Sequence, residues 1–474
     1  MGDEAVSPIN HISEVEDFDE ELLNDLKAAL EPFSLEDPMI TIYTVPDPIR
    51  NVDSDAYGSR YMTLAVDTTY DLDLIRGDET VRSHALRHLH SILTRNPALS
   101  LNDYLLAMNE LKDQIKSCHY IDITIDFQRL VWVVINSCFI VDVLLMFYEG
   151  RLTASVDSTC ASIYFQYMWI DFLLVENQQP FFVLEKVFDL AVVDKSKYPS
   201  LVDIALFFFD HFVERDLQKP VMESKSIHHL LHLVHHQLLP SDPLQSFNLK
   251  LQPSRKLFFN KVKDAIPLHH SPPPPLLESS QTKQLFITKP IPSAKRLEEV
   301  GIKFKKRDGT GFLNVCFDNR KGVLEIPRLY VHSNTKILLR NLIAWEQCHP
   351  AAGAYFTGYA IFMDYIVNTD KDIEILVQSG IIEHSLGTDD DVAAVFNGLS
   401  TNLVHTGLED EFLPYICKEL NKYCHNHYNI WWAKLMADYF SNPWTTISIG
   451  AAIILLILTF TQTFFSAYSY FRPP

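Results

Sequence analysis

Apolar residues recur at three- and four-residue spacing along most of the chain, which predicts helices rather than strands. In the first half the pattern predicts helices over Thr80–Leu93, Ser100–Cys118, Leu130–Phe147, Ala161–Val175, Pro180–Val192, Leu201–Val213 and Ser226–Leu239. In the second half it predicts Ser293–Gly301, Asn334–Gln347, Ala352–Asn368, Asp370–Gln378, Asp389–His405 and a long Glu409–Tyr439. Period-two alternation is scarce. Phe312–Phe317 and Val323–Ile326 flank Asp318–Gly322 and read as a β-hairpin ended by Pro327. Ile40–Pro46 is another short strand-like run. The expected fold is mainly α: a large helical body with one short β-hairpin, a Pro-rich insertion and a single C-terminal transmembrane helix.

Two stretches are long and apolar enough to need a decision. Trp444–Phe471 carries no charge, and its centre, Ile447–Phe465, suits a hydrocarbon core that takes ~20 helical residues. Leu130–Phe147 is the rival, but it contains Asn136 and Asp142. A central Asp costs ~2.5–3.5 kcal/mol on insertion scales, so this stretch is expected to be a buried core helix. The chain then divides into an acidic, partly disordered tail (1–37), a first half of the body (38–239), a Pro-rich insertion (240–284), a second half with its hairpin near 312–326 (285–440), and a transmembrane helix (445–468). The insertion holds the run Pro272–Pro275, which favours polyproline II. No repeat of solenoid period is visible.

Charge narrows the partners. The 474 residues carry a net charge of -20, and residues 1–37 hold twelve acids against one base, Lys27. Nucleic acid is disfavoured, because its phosphates require a basic footprint. Seven cysteines without a CxxC pair suggest reduced thiols. No secretory signal or N-glycosylation sequon is present. Lys418, Lys422 and Lys434 precede the apolar segment and only Arg472 follows it, so the positive-inside bias predicts a cytosolic body. The expected location is a single-pass protein of a membrane, with the plasma membrane as first assignment and tail-anchor-like insertion. The expected partners are membrane lipid through the C-terminal helix and an unidentified protein.

The chemistry is sparse. Nucleophile-elbow, zincin, Walker and dinucleotide-binding motifs are all missing. Asp308–Gly311 has phosphate-loop glycines but no following Lys-Ser/Thr, and reads as a turn before a strand. His228, His229, His232, His235 and His236 form the strongest metal candidate. On a helix His228, His232 and His236 would stand at i, i+4 and i+8, close enough for neighbours to share an ion. Leu230, Leu231, Val234 and Leu238 would form the opposite stripe, so an amphipathic helix with a histidine-rich face explains the same pattern. Cys417, Cys424, His425 and His427 fit no standard zinc spacing, and His84 with His88 is a weaker pair. The expectation is no catalytic residue, no cofactor and no metal. An enzyme with an unrecognised site and a structural tether remain the competing readings.

Several runs resemble one family. They are Val45-Pro46, Cys138-Phe139-Ile140, the stretch from Asp171 to Leu184 around Glu176-Asn177-Gln178-Gln179-Pro180, the run from Leu297 to Phe304, and Gly322 to Pro327. Asn341-Leu342-Ile343-Ala344-Trp345-Glu346-Gln347 and Tyr439 to Trp444 complete the set. Together they resemble the plant family built on the domain of unknown function 247, over roughly residues 40–470. The chain departs from it in two places. Met62 to Asp67 replaces a Ser-Ile-Gly-Pro-Tyr-His-like run, and Gln179 stands where an aliphatic residue is usual. The resemblance implies a mostly helical, membrane-associated plant protein with no established reaction; some grass members are implicated as pollen-side determinants of self-incompatibility. It carries over no catalytic residue. Glu176, Asn177, Gln178, Pro180, Asn341, Glu346 and Gln347 are read as structural motif residues.

Overall fold

The computed structural model describes residues 40–59, 79–120, 123–151, 167–240 except 216 and 218, 290–403 except 309, 310 and 312, 412–426, 431, 435 and 443–471. The acidic segment 1–37, the Pro-rich run, residues 161–166 of the expected helix at 161–175 and parts of the one at 409–439 lie outside the described residues.

The first half assembles around α4 (Phe127–Tyr148), the apolar stretch that had rivalled the C-terminal one. The side chain of Asp126 caps it, accepting the Arg129 N–H at 2.8 Å. α1 (Glu79–Arg95), α2 (Leu101–Glu110), α5 (Phe181–Ala191) and α6 (Leu201–Phe209) pack around it. Its apolar window is 83% buried inside the body, as expected for a core helix. Asp142 is fully buried, yet it is served by three neighbours on α1. His88 Nδ1 lies 2.8 Å away, Ser91 Oγ donates at 2.9 Å and Arg95 at 3.3 Å. Arg95 also reaches Glu149 at 2.7 Å. Burial alone would raise the Glu149 carboxyl; hydrogen bonds from Arg95, Tyr198 and Arg151 outweigh it and hold the group at about 2. A buried carboxylate survives here because it is paired and hydrogen-bonded.

Several expected helices end or begin elsewhere: Leu201–Val213 stops at Phe209, Ala161–Val175 at Asp171, and the long Glu409–Tyr439 stretch breaks after Cys424. Ser100–Cys118 is two helices, α2 and α3 (Lys112–Ser117), parted at Leu111. Ser226–Leu239 is a short turn, Ser224–Ser226, followed by α7 (Leu230–Leu238), so His228 and His229 precede the helix. The described part of the Asp389–His405 helix ends at Leu399.

The second half contains more strand than the pattern suggested. After α8 (Ala294–Glu299) come β1 (Lys303–Arg307), β2 (Cys316–Asp318) and β3 (Val323–Pro327), in the order β1-β3-β2. The expected hairpin is the antiparallel β2–β3 pair, with Cys316 opposite Glu325, but its first strand starts later than predicted. β1 joins in parallel, Lys303 opposite Val323. A second small sheet pairs β4 (Leu329–Val331) with β5 (Ile382–His384). Gly322 closes the hairpin at φ +64, and a Cβ there would collide with the Tyr423 ring. Gly322→Ala is expected to cost about 1–2 kcal/mol, read as a shifted urea midpoint.

α9 (Thr335–Cys348) is the buried axis of this half, packed by α10 (Tyr355–Ile366) and α12 (Asp389–Leu399), with α11 (Asp370–Gln378) beyond. One hydrophobic core runs from Val45 through α4 and α9 to Leu420 on α13 (Phe412–Cys424). The last element, α14 (Pro443–Phe471), differs from all of these. Its stretch Ile447–Phe465 is long and apolar enough to cross a membrane, and none of it is buried against the body. Thr459, Thr461 and Thr463 donate their hydroxyls to the carbonyls of Leu455, Ile457 and Thr459, which lowers the cost of holding them in hydrocarbon.

Candidate functional site

The motif residues converge on α9. Residues 167–171 form the last described helical turn before the Glu176–Pro180 loop, so the carbonyls that follow lack intrahelical donors. Asn177 Nδ2 donates to Asp171 O at 3.0 Å. Gln178 Nε2 donates to Phe172 O and Leu174 O at 2.9 and 2.7 Å, and its Oε1 accepts the Leu231 N–H of α7 at 3.1 Å. Glu176 accepts the Val45 N–H at 2.6 Å and pairs with Arg50. Pro180 precedes α5, whose first N–H, that of Phe181, donates to His228 O at 2.8 Å. Asn341, fully buried on α9, joins three segments. Its Oδ1 accepts the Val175 N–H at 2.9 Å, and its Nδ2 donates to Ala56 O at 2.9 Å and Ile337 O at 2.8 Å.

Glu346, one and a half turns further on, does the same for α10. The residue before that helix, Ala354, has no side-chain acceptor. Glu346 Oε1 instead accepts the Phe356 N–H at 2.9 Å, and Oε2 accepts the Thr357 N–H and hydroxyl at 2.8 Å each. His235 Nε2 stands 2.9 Å from Oε1. A carboxylate at a helix N-terminus also meets the positive end of the helix dipole. Gln347 Nε2 reaches Thr357 Oγ1 at 3.3 Å.

Between these struts lies a nest of imidazoles around Trp345. The His232, His235 and His349 rings sit 5.1, 4.7 and 5.3 Å from the indole, centroid to centroid, and His228 stacks on His232 at 4.5 Å. Hydrogen bonds fix two tautomers. His229 is the N-cap of α7: its Nδ1 accepts the His232 N–H at 3.1 Å, so Nε2 carries the proton and donates to Thr41 O at 3.0 Å. His232 Nδ1 accepts the His228 N–H at 3.1 Å. Both rings are therefore acceptors toward backbone and stay neutral. Burial, followed by neighbouring histidines, holds His229 at about 3 and His228 at about 4. Burial with the adjacent Lys219 holds His236 at about 4. Tyr43 Oη donates to Ile40 O and meets His349 Nδ1, each at 2.8 Å, which ties residues 40–45 to the end of α9. Burial pushes Tyr43 up to about 12.

This geometry corrects the helical i, i+4, i+8 arrangement of His228, His232 and His236, because α7 starts only at Leu230. The His232 Nδ1 lone pair that a metal would need is already spent on a backbone N–H. Among the described residues, no group of three His, Cys, Asp or Glu side chains is disposed to hold a metal ion. His88 serves Asp142 rather than a metal pair. Burial raises Cys417 to about 12 and Cys424 to about 11, so neither is a thiolate at neutral pH; His427 lies outside the described residues. The partners of Asn341 and Glu346 were not readable in the sequence. A signal for Glu346 existed: Ala354, at the start of a helix, cannot cap it.

The nest is a fastening of five segments by neutral acceptors and one caged carboxylate. Asn341→Ala is expected to cost about 2–4 kcal/mol, because it strands a buried N–H at Val175 and a buried carbonyl at Ala56; urea unfolding of the full chain measures it.

Comparison with known proteins finds plant relatives along most of the chain. A family model described as "Plant protein of unknown function", the domain of unknown function 247, matches residues 42–458. The UPF0481 protein At3g47200 of Arabidopsis thaliana is 26% identical over 408 residues, which cover 83% of this chain and 79% of that protein. The putative UPF0481 protein At3g02645 of the same plant is 21% identical over 535 residues, covering 98% and 99%. No solved structure matches the chain.

Proposed function

We propose that this chain, which belongs to the plant family built on the domain of unknown function 247, is a non-catalytic recognition scaffold held at a membrane by α14. The observation that carries the reading is how the motif side chains are used. Gln178 and Asn341 bind backbone groups of segments distant in sequence, and Glu346 binds those at the start of the helix that follows. Groups spent this way build a rigid body that carries surface loops, and loops on a rigid scaffold are where recognition is placed. The body faces the cytosol in this reading, supported by Lys418 and Lys422 ahead of α14 and by free Cys118, Cys138 and Cys316. A pollen-side role in self-incompatibility is its finer form and rests on the family resemblance alone; the plasma membrane is the first assignment for the anchor.

Proximity labelling from the full chain in its native tissue tests the reading. It should recover a reproducible protein partner that is lost when the chain is freed from the membrane. Recovery of no reproducible partner would sink it. A protease-protection assay on intact vesicles tests the orientation separately: a body fully shielded from added protease contradicts a cytosolic one.

A further inference from the structure

β1 is an edge strand, since the sheet order is β1-β3-β2. Lys303 N–H donates to Gly322 O at 2.8 Å, and bonding alternates along a parallel ladder, so the backbone groups of Phe304 and Lys306 face away from β3. Among the described residues no other backbone group pairs with them. The edge is also basic. Lys303 and Lys305 are exposed, and Phe304, Lys306 and Arg307 are half-buried. The acids that face it are weak partners. Glu325 on β3 lies 3.8 Å from Lys305, and Asp308, just past the strand, lies 3.0 Å from the exposed side of Lys306. Surface pairs of this kind contribute little.

The chain contains a charge-inverted image of this edge. Lys303-Phe304-Lys305-Lys306-Arg307 is matched, position for position in parallel register, by Glu14-Val15-Glu16-Asp17-Phe18. Acid meets base at three positions, Val15 meets Phe304, and the Phe18 ring meets the Arg307 guanidinium, a cation–π pairing. The surrounding segment, residues 1–37, holds twelve acids and one base. Reach is no obstacle. The link from Phe18 to Ile40 spans up to ~75 Å when extended, against a body roughly 50 Å across. We propose that the acidic N-terminal segment of this chain adds to the open edge of β1 through residues 14–18. Main-chain bonds to Phe304 and Lys306 supply attachment, and the alternating charges supply register, as in other strand-addition sites. The segment then covers the basic edge and withholds it from other acidic partners.

Hydrogen exchange on the full chain in neutral-lipid nanodiscs tests this. The amides of Phe304 and Lys306 should exchange at least tenfold more slowly in the wild type than in Glu14→Lys/Glu16→Lys/Asp17→Lys or in Lys303→Glu/Lys305→Glu/Lys306→Glu. The combined charge-swapped chain should restore the protection. Amides of α9 serve as the folding control and should not change. Equal exchange in all four chains would mean a solvated edge kept clear by its lysines, and would overturn the proposal. Protection that arises only in anionic nanodiscs would assign the edge to lipid headgroups and overturn it as well.

Discussion

Replacing Glu346 by alanine is expected to destabilise the body by about 3–5 kcal/mol, the range for removing one partner from a buried charged network. The carboxylate is 3% exposed and accepts four hydrogen bonds. Its removal leaves the Phe356 and Thr357 N–H groups buried at the start of α10 with no local substitute, because Ala354 offers no acceptor. It also strands His235, 2% exposed, beside Trp345. Glu346→Gln should cost less, about 2 kcal/mol, since one amide oxygen still meets the helix N-terminus. Urea unfolding of the full chain in detergent, followed by tryptophan fluorescence, measures both. A loss below 1 kcal/mol for Glu346→Ala would mean that α10 does not depend on this cap.

The second large effect is acid lability. His229 and His232 are folded as neutral acceptors of backbone N–H groups, and burial holds both well below their unfolded value of ~6.5. A proton on either Nδ1 would set N–H against N–H. The unfolded chain therefore binds more protons than the folded one as pH falls below ~6.5. Stability is full above about pH 7 and declines with acid, by about 2 kcal/mol per histidine at pH 5. The decline continues until the folded values of about 3 for His229 and about 2 for His232 are reached. The surrounding rings of His228, His235, His236 and His349, with Lys219 beside His236, oppose added positive charge. His228 and His236, held at about 4, add to the same slope, so His229→Asn, which keeps an N-cap acceptor but cannot titrate, should remove at most about a quarter of it between pH 7 and pH 5 while leaving stability at pH 7.5 within about 1 kcal/mol. A pH-independent midpoint in the wild type over that range would contradict the neutral nest.

Much of the architecture follows from local pattern, and the failures have physical causes. Leu130–Phe147 reads correctly as a core helix because Asp142 makes a lipid environment costly, and the structure supplies that Asp with His88, Ser91 and Arg95. β1 escapes notice because four of its five residues are basic and only Phe304 hints at alternation. β4 and β5 are three residues each, more than fifty positions apart, too short and too distant for any local signal. The start of α7 is misplaced because histidine is not among the usual N-cap residues, while its ring nitrogen does the same work at His229. The motif residues themselves were legible, but their partners were not. Asn341 meets Val175 and Ala56 only because tertiary packing brings α9 against segments 166 and 285 positions away.

The central claim is that the motif side chains are struts and not groups waiting for a ligand. Four amides test it most directly: Val175, accepted by Asn341; Leu231, accepted by Gln178; and Phe356 and Thr357, accepted by Glu346. Native-state hydrogen exchange on the full chain at pH 7 should place all four among its slowest amides, opening only with the whole body. Exchange of these amides through local opening, while the neighbouring core of α4 stays protected, would contradict the account, because it would show motif side chains that let go of the backbone in the native state.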